Sequence, residues 1–162
     1  GGVATGGTGG VATGGTGGTG GVTGLDCTKW PGAKSFAVQG KTHCYWLNNS
    51  GKNFDDSKKT CSDAGGYLAT IHSKAENDFV KSVAFGNASA VWIGLWRPFL
   101  AWCSTGSNFE WVTNEANPYQ NWDSGEPNCS GQGGVMDSGG GWRDRAGWES
   151  YAFVCEAGPA YQ

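Results

Sequence analysis

Residues 119–144 read YQNWDSGEPNCSGQGGVMDSGGGWRD, and the rest of the chain is organised around this stretch. Glu126 and Asn128 flank a proline, and Asp144 follows later in the same stretch. Carboxylate and carboxamide oxygens are ligands that Ca²⁺ prefers in proteins. If a returning strand brings Asp144 back to the proline, these three side chains form an oxygen-rich pocket. The stretch therefore predicts a calcium site, for which the upstream chain is the scaffold.

The composition divides the 162-residue chain into three parts. Residues 1–24 contain only Gly, Thr, Val and Ala and repeat GGVATGGT, so they have no large side chain to bury. Because glycine loses the most conformational entropy on ordering, we predict a flexible tether there, with a stalk glycosylated on Thr as the alternative. Residues 25–157 suit one domain, and residues 158–162 are predicted to be a tail.

Charge and hydropathy argue against several classes of partner. The net charge is −3 and no run of Lys or Arg occurs, so a nucleic-acid partner is not expected. No apolar run approaches the ~18 residues of a membrane helix, so membrane insertion is not expected. The chain begins with Gly rather than Met, and we expect a mature or trimmed chain whose export signal is not shown.

The six cysteines indicate a disulfide framework and an oxidising, extracellular compartment. A zinc site is the weaker alternative, because the chain has no Cys-x-x-Cys pair and only two histidines. Six cysteines allow many pairings, which the sequence alone does not separate. Three Asn-x-Ser sequons agree with a secreted glycoprotein, and they begin at Asn48, Asn87 and Asn128.

Local patterns predict two helices and several short strands. Asn53 can cap the first helix, and Ser73 with Glu76 forms a capping box at the start of the second. Turn signals within residues 27–44 predict a hairpin. Further strands are predicted at residues 67–71, 91–95, 109–112 and 151–156. Residues 114–141 are rich in Asn, Gly, Ser and Pro, which predicts a long irregular loop of the kind that carries function.

Several short motifs follow one another along the chain. They are Cys44-Tyr45, Ala69-Thr70-Ile71, Trp92-Ile93-Gly94-Leu95, Glu126-Pro127-Asn128, Trp142-x-Asp144 and Phe153-Val154-Cys155-Glu156. In this order and spacing, the chain from Cys27 to Glu156 resembles the C-type lectin-like domain. The resemblance implies an α+β fold of two helices and antiparallel sheets, with a long irregular ligand loop and disulfide staples.

The resemblance also implies how the cysteines pair. The implied bonds are Cys61–Cys155 and, as in the long form of the family, Cys27–Cys44. The family's second usual bridge is absent. Cys103 and Cys129 would then bond to each other and hold the ligand loop from its other side.

In lectins of this family, the Glu-Pro-Asn triplet implies a cis bond before the proline and a Ca²⁺ ion that also binds a sugar. Glu126 and Asn128 would hydrogen-bond neighbouring sugar hydroxyls, because a carboxylate accepts and an amide NH₂ donates. This version of the triplet is associated with ligands of the mannose, glucose, fucose and N-acetylglucosamine type. We therefore expect glycans or glycoproteins as partners.

Two departures from the family pattern weaken the expected calcium site. Arg143 replaces an asparagine, and the acidic residue expected between the two motifs falls at a glycine. The triplet and Asp144, with one carbonyl, offer about four or five oxygens, whereas Ca²⁺ takes about 6 to 8. We expect Asp137 or Ser130 to fill the gap if the loop bends inward, and calcium binding to be weak. Alternatively, the guanidinium of Arg143 takes the place of the ion, or it faces solvent.

The chain contains nine tryptophans. Three lie in strand-like apolar contexts and are predicted to be core, namely Trp92, Trp111 and Trp142. Four lie in or near loops, where an indole either stacks on a sugar ring or fills a loop core, namely Trp96, Trp102, Trp122 and Trp148. His43 and His72 lack a matching nucleophile motif, so we predict no catalytic role for them. A bridge at Cys129 is expected to bury Asn128 and to prevent glycosylation of its sequon.

Two hypotheses remain, and an enzyme ranks third. The first is a secreted, non-enzymatic lectin that recognises mannose-type glycans through one weak Ca²⁺ site. Its predicted metal ligands are Glu126, Asn128, Asp144 and Asp137, and its predicted sugar-contacting residues also include Trp122 and Arg143. Because single sites bind weakly, a homo-oligomer is expected to supply avidity. The second hypothesis is a calcium-independent C-type lectin-like module whose loop, stapled by Cys103 and Cys129, binds a protein.

Overall fold

The computed structural model describes residues 24–86, 88–98, 108–116 and 118–162. The helices are α1 Phe54–Asp63 and α2 Lys74–Ala84, and a 3₁₀ turn spans Cys27–Lys29. The strands are β1 Lys34–Val38, β2 Lys41–Lys52, β3 Tyr67–Leu68, β4 Ala90–Trp96, β5 Glu110–Trp111, β6 Gly133–Asp137, β7 Trp142–Arg145 and β8 Tyr151–Ala157. Apart from Gly24, the predicted tether lies outside the described residues.

Both helices begin at the caps that the sequence predicts. The Asn53 side chain accepts a hydrogen bond from the N–H of Asp56 at 2.8 Å, and Ser73 accepts one from the N–H of Glu76 at 3.2 Å. These bonds satisfy N–H groups that have no partner within the first turn. The reciprocal half of the capping box differs from the prediction, because the Glu76 carboxylate accepts from the N–H of His72, one residue before the cap.

The strands form a mixed sheet, which together with the two helices confirms the predicted α+β fold. One pair, β4 with β8, is parallel, whereas the prediction described the sheets as antiparallel. The strand order is β1-β2-β8-β4-β6-β7, with β3 paired to β8 and β5 paired to β4. β8 lies between β2 and β4, where it runs antiparallel to β2 and parallel to β4. A parallel pair needs a long crossover connection, and the chain from β5 to β7 supplies it. Patterns within a strand do not reveal such pairing between distant strands.

β6 lies within residues 114–141, which the sequence predicts to be irregular. A Cβ added to Gly133 would lie 2.7 Å from the Trp92 ring, and one added to Gly134 would lie 2.9 Å from the Leu95 Cβ. The backbone of β6 therefore packs directly against side chains of β4. The strand was missed because glycine contributes no side chain to an alternating pattern.

Disulfides confirm two of the three predicted pairings. The bonded pairs are Cys27–Cys44 and Cys61–Cys155. The second pair ties α1 to β8, which brings the last strand against the first helix. Cys129 is also disulfide-bonded, while its predicted partner Cys103 lies outside the described residues.

Buried apolar side chains form two clusters, and the larger one joins α2 to the sheet. The tryptophans predicted to be core are buried in these clusters, namely Trp92, Trp111 and Trp142. Within the ranges that the structure describes, neither helix has the length and apolar character needed to cross a membrane.

A buried network of carboxylates links β2, α2 and β8. Glu156 is 1% exposed, and it hydrogen-bonds with the His43 ring at 2.5 Å and accepts from the N–H of Thr70 at 2.8 Å. The Tyr45 hydroxyl donates to Glu76 at 2.6 Å and reaches Glu156 at 3.2 Å. Burial raises the pKa of Glu156, and its hydrogen bond with His43 acts in the opposite direction. The network holds the hairpin strand and the last strand in register from inside the core.

Residues 158–162, which the sequence predicts to be a tail, pack on the domain. The Tyr161 ring stacks on His72 with ring centroids 3.9 Å apart. The N–H of Tyr161 donates to Glu115 at 2.6 Å, and the last residue exchanges hydrogen bonds with Gln39 in the β1–β2 turn. The domain boundary drawn from the sequence stays a prediction, but these residues are in contact with the sheet and with the loop before α2.

Candidate calcium and glycan site

The Glu126–Pro127 peptide bond is cis, as the family resemblance implies. The side chains on either side of the proline contact each other. The Asn128 amide Nδ2 donates to Glu126 Oε1 at 3.0 Å, and the Asn128 backbone N–H donates to Glu126 Oε2 at 3.1 Å. The acceptor and the donor that the sequence proposes for a sugar therefore lie side by side.

β7 brings Asp144 to the same place. Asp144 is completely buried, and its carboxylate accepts the N–H of Asn128 and the N–H of Gly131, both at 2.7 Å. These two backbone N–H donors fix the orientation of the carboxylate and offset part of the free-energy cost of removing it from water. The structure thus brings together Glu126, Asn128 and Asp144, three of the four predicted metal ligands, from segments far apart in the chain.

The two acidic groups of the site lie close enough to hydrogen-bond. Burial raises the pKa of Glu126, and the hydrogen bond with the Asp144 carboxyl raises it further. Two carboxylates in one partly desolvated place repel each other unless a proton or a cation lies between them. A divalent cation between the Glu126 and Asp144 carboxylates would remove this repulsion.

The oxygen atoms of the site fit calcium in type and partly in number. Within the described residues, no cluster of three or more His, Cys, Asp or Glu side chains is arranged for a metal, and the third side chain here is the amide of Asn128. The backbone carbonyl of Asp144 adds an oxygen, which accepts from the Ser130 hydroxyl at 3.0 Å. Since Ca²⁺ takes about 6 to 8 oxygens, water or sugar hydroxyls would complete the shell.

Arg143 does not occupy the place of the ion. Its Nε donates to Asp123 at 2.6 Å and its Nη2 donates to Asp137 at 2.7 Å. The hydrogen bond with Asp123 raises the pKa of Arg143 most, and the charge of Glu126 contributes least. The alternative in which this guanidinium replaces calcium is therefore not what the structure describes.

The same contacts engage the fourth predicted metal ligand, Asp137. Its Oδ2 receives the Arg143 guanidinium, and its Oδ1 accepts the N–H of Gly139 at 2.7 Å and that of Gly141 at 3.2 Å. None of these contacts reaches the other three ligands. Asp137 serves the turn between β6 and β7 instead of bending inward to the triplet.

Sequence reasoning missed Arg145. Its Nη1 lies 3.6 Å from Glu126 Oε1 and donates to the backbone carbonyl of Asp144 at 2.7 Å. The cation beside the site is therefore two residues further along β7 than the one considered from the motif. The signal available in the sequence was a second arginine directly after Asp144, on the same side of the strand as Arg143.

The loop tryptophans separate into different environments. Trp122 packs edge-on against Phe109 and Trp142, with ring centroids 4.8 and 6.0 Å apart, so it fills the loop core. Trp96 stacks on Phe54 at 4.7 Å. Trp148 is 81% exposed. Trp102 lies outside the described residues.

The expectation that a bridge at Cys129 buries Asn128 is wrong. Asn128, Cys129 and Ser130 are all exposed, because the disulfide-bonded residue lies on the outer surface of the loop. The N–H of Ser130 donates to the Asn128 side-chain oxygen at 2.9 Å, which closes a local turn around the sequon. A glycan on Asn128 would remove an amide proton from the site.

Comparison with known proteins shows the family of this chain. A family model described as the lectin C-type domain matches residues 50–157. The chain belongs to the C-type lectin domain family. The match runs from the end of β2 through β8 and includes all three converging residues, Glu126, Asn128 and Asp144. Membership places the domain in a family of carbohydrate-binding lectins.

Several curated relatives of this C-type lectin domain are longer than this chain. It is 32% identical over 131 residues to the human C-type lectin domain family 10 member A, a match that covers 75% of this chain and 39% of that protein. The chain thus spans well under half the length of this curated relative.

Two solved structures share the fold of this domain. The cow carbohydrate-recognition domain of CD23, determined with a GlcNAc2Man3 oligosaccharide, has a TM-score of 0.63 at 30% identity, over 74% of this chain and 90% of that one. A calcium-independent type II antifreeze protein has a TM-score of 0.67 at 24% identity, over 79% of this chain and 92% of that one. At that identity, the second likeness shows the fold alone.

Proposed function

We propose that this C-type lectin domain binds glycans in a calcium-dependent way through Glu126, Asn128 and Asp144. The convergence of these side chains from the Pro127 loop and from β7 supports the proposal. The raised pKa of Glu126 agrees with the proposal. Burial of the carboxyl is its main cause and the neighbouring Asp144 carboxyl adds to it, and a divalent cation would stabilise both groups in the ionised form.

The chemistry of each side chain defines its role. Calcium, when bound, supplies coordination positions for sugar hydroxyls. Glu126 accepts a hydrogen bond from one hydroxyl, and the Asn128 amide donates to its neighbour. Asp144 supplies a fixed negative charge, since two backbone N–H groups hold its carboxylate in place. An acceptor beside a donor suits a sugar with adjacent hydroxyls. We propose a ligand of the mannose, glucose or fucose type because the Glu-Pro-Asn triplet resembles that of lectins for such sugars.

Titration calorimetry of the domain tests this function, first with CaCl₂ and then with methyl mannoside in the presence and absence of calcium. We expect weak calcium binding and mannoside binding that requires it. Glu126→Gln should abolish both. Glu110→Gln is the matched control, because Glu110 is an exposed glutamate on β5. Absence of calcium binding at millimolar concentrations would refute the proposal.

Calcium-independent recognition of a protein is the second candidate function. The observation that favours it is Arg145, whose Nη1 lies 3.6 Å from Glu126 Oε1 and supplies a positive charge beside the acidic pair without any metal. The two functions separate in one experiment. Ligand binding that survives EDTA supports calcium-independent recognition of a protein. Binding that is lost in EDTA and restored by calcium supports calcium-dependent glycan binding.

We also propose that the domain works outside the cytosol and binds its ligands as a homo-oligomer. The disulfides support an oxidising compartment, because such bonds are rare where thiols are kept reduced. A single weak site gains useful strength only when several copies engage one surface. Light scattering of the whole chain measures the oligomeric state.

A further inference from the structure

We propose that Trp148 is a stacking platform for a second sugar ring of a glycan whose first ring is held at Glu126 and Asn128. This inference rests on the proposed glycan-binding function. Trp148 would make the site favour an oligosaccharide over a single sugar.

Trp148 has no packing role in the domain. Among the described residues, the large apolar side chains that are exposed are Leu25 at 40% and Trp148 at 81%. Removing an indole from water is favourable, and folded proteins bury most of their tryptophan surface. An indole left in solvent is therefore available to a ligand.

The backbone beneath this indole is fixed by hydrogen bonds. Residues 146–149 form a tight turn in which the N–H of Glu149 donates to the carbonyl of Ala146 at 2.9 Å. The Glu149 carboxylate accepts the N–H of Ala146 at 3.1 Å and the Tyr151 hydroxyl at 2.7 Å. Trp148 lies within this turn. An exposed side chain on a held backbone meets a ligand at little cost in backbone entropy.

The turn also rests on the core. The carbonyl of Gly147 accepts the N–H of Phe54 at 2.9 Å. A Cβ on Gly147 would lie 3.2 Å from the Trp96 ring, so the turn packs closely on that aromatic side chain. The position of Trp148 is consequently set by α1 and β4 as well as by the turn itself.

The turn that carries Trp148 lies next to the proposed sugar site. A Cβ on Gly131 would lie 1.9 Å from the backbone of Arg145, so the ligand loop and the segment leading to the turn are in direct backbone contact. The Arg145 side chain then reaches back to Glu126. From Arg145 to Trp148 the backbone spans at most ~11 Å, a distance that a short oligosaccharide can cover.

The chemistry of the platform favours a neutral sugar ring. The charged residues nearest to it in sequence are already paired, since Arg145 contacts Glu126 and the Asp144 carbonyl, and the Glu149 carboxylate accepts the Tyr151 hydroxyl. An indole face packs against the C–H face of a pyranose and leaves the hydroxyls to water. Flat aromatic side chains bind such amphipathic rings with little loss of rotamer entropy.

Calorimetry with methyl mannoside and with a mannose trisaccharide, in calcium, tests the inference on the whole chain. We expect the trisaccharide to bind the parent more tightly than the monosaccharide does, and Trp148→Ala to weaken trisaccharide binding by roughly threefold to tenfold while leaving the monosaccharide unchanged. Trp148→Phe should retain part of the gain. Leu25→Ala is the control for removal of an exposed apolar side chain, and iodide quenching should show that the trisaccharide shields an indole in the parent but not in Trp148→Ala.

Each outcome has a distinct meaning. If Trp148→Ala binds both sugars as the parent does, the platform is wrong and the primary site stands. If the variant loses monosaccharide binding with its fold intact by circular dichroism, Trp148 is not a separate subsite and the inference is overturned. If the parent binds neither sugar, the proposed function fails, and the platform fails with it.

Discussion

Replacing Arg145 by glutamine should tighten calcium binding. Arg145 is the cation closest to the proposed site, with its Nη1 3.6 Å from Glu126 Oε1. It also donates to the backbone carbonyl of Asp144, an oxygen that would otherwise be free to bind the ion. Glutamine is shorter than arginine but keeps a polar N–H group while removing the charge, so the repulsion between arginine and the divalent ion disappears.

The distance sets the magnitude of this effect. At 3.6 Å, two unit charges attract by about 1 kcal/mol in water and about 5 kcal/mol at an effective dielectric near 20. The Arg145 side chain is 26% exposed, and screening and side-chain entropy reduce the net energy of such a pair towards ~1 kcal/mol. We therefore expect the calcium Kd of Arg145→Gln to fall about fivefold.

Calorimetric titration of the EDTA-treated domain with CaCl₂ measures this change. Arg143→Gln is the matched control on the same strand, because its guanidinium is held by Asp123 and Asp137 instead of Glu126. We expect the control to change the Kd by less than about twofold. The gain in Arg145→Gln should shrink as ionic strength rises, since added salt screens the repulsion.

Two results would refute this reasoning. Arg145→Gln could bind calcium no more tightly than the parent, which would mean that the guanidinium does not oppose the ion. Arg143→Gln could instead produce the larger gain, which would mean that its pairing with Asp123 and Asp137 gives way and that this arginine competes for the site.

Further predictions concern pH, stability and loop geometry. Calcium affinity should fall on acidification at a higher pH than for an ordinary glutamate, because the pKa of Glu126 is raised and the proton competes with the ion; calorimetry showing no change down to about pH 4.3 would contradict this. Glu156→Ala should lower the free energy of unfolding in urea by about 3 to 5 kcal/mol, since it leaves buried donors unpaired, whereas Glu110→Ala on the exposed edge should stay within about 0.5 kcal/mol. Gly131→Ala should abolish calcium binding without unfolding the domain, because its Cβ would lie 1.9 Å from the backbone of Arg145 at the end of β7. Gly86→Ala, with nothing within 4 Å, should behave as the parent in calorimetry and circular dichroism.

Local features of this domain could be read from the sequence. Asn53 and Ser73 cap their helices as predicted, because a cap depends on residues within one turn. The approach of Asp144 to the triplet was also expected, since the family motif encodes a contact that no local pattern reveals. What the motif does not establish is whether calcium binds there, and that role stays a prediction.

Features that depend on distant chain segments could not be read in the same way. β6 was hidden because Gly133 and Gly134 have no side chains, although their close packing on β4 is what makes the strand fit. The partners of Arg143 were equally hidden, because Asp123 and Asp137 meet it only after the turn between β6 and β7 has formed. A sequence shows the charges present but not which of them become neighbours.

The arrangement of charge along β7 predicts that the proposed calcium binding is coupled to proton release. Arg143 balances Asp123 and Asp137, which leaves Arg145 as the single described cation in contact with the Glu126 and Asp144 pair. One arginine offsets only one of two carboxylates. Burial raises the pKa of Glu126 most, and the hydrogen bond with the Asp144 carboxyl raises it further. A divalent ion requires both carboxylates to be ionised, so the number of protons released on binding should rise as the pH approaches the pKa of Glu126. Calorimetry in two buffers with different ionisation enthalpies counts these protons, and a count of zero at every pH would separate the acidic pair from the calcium site.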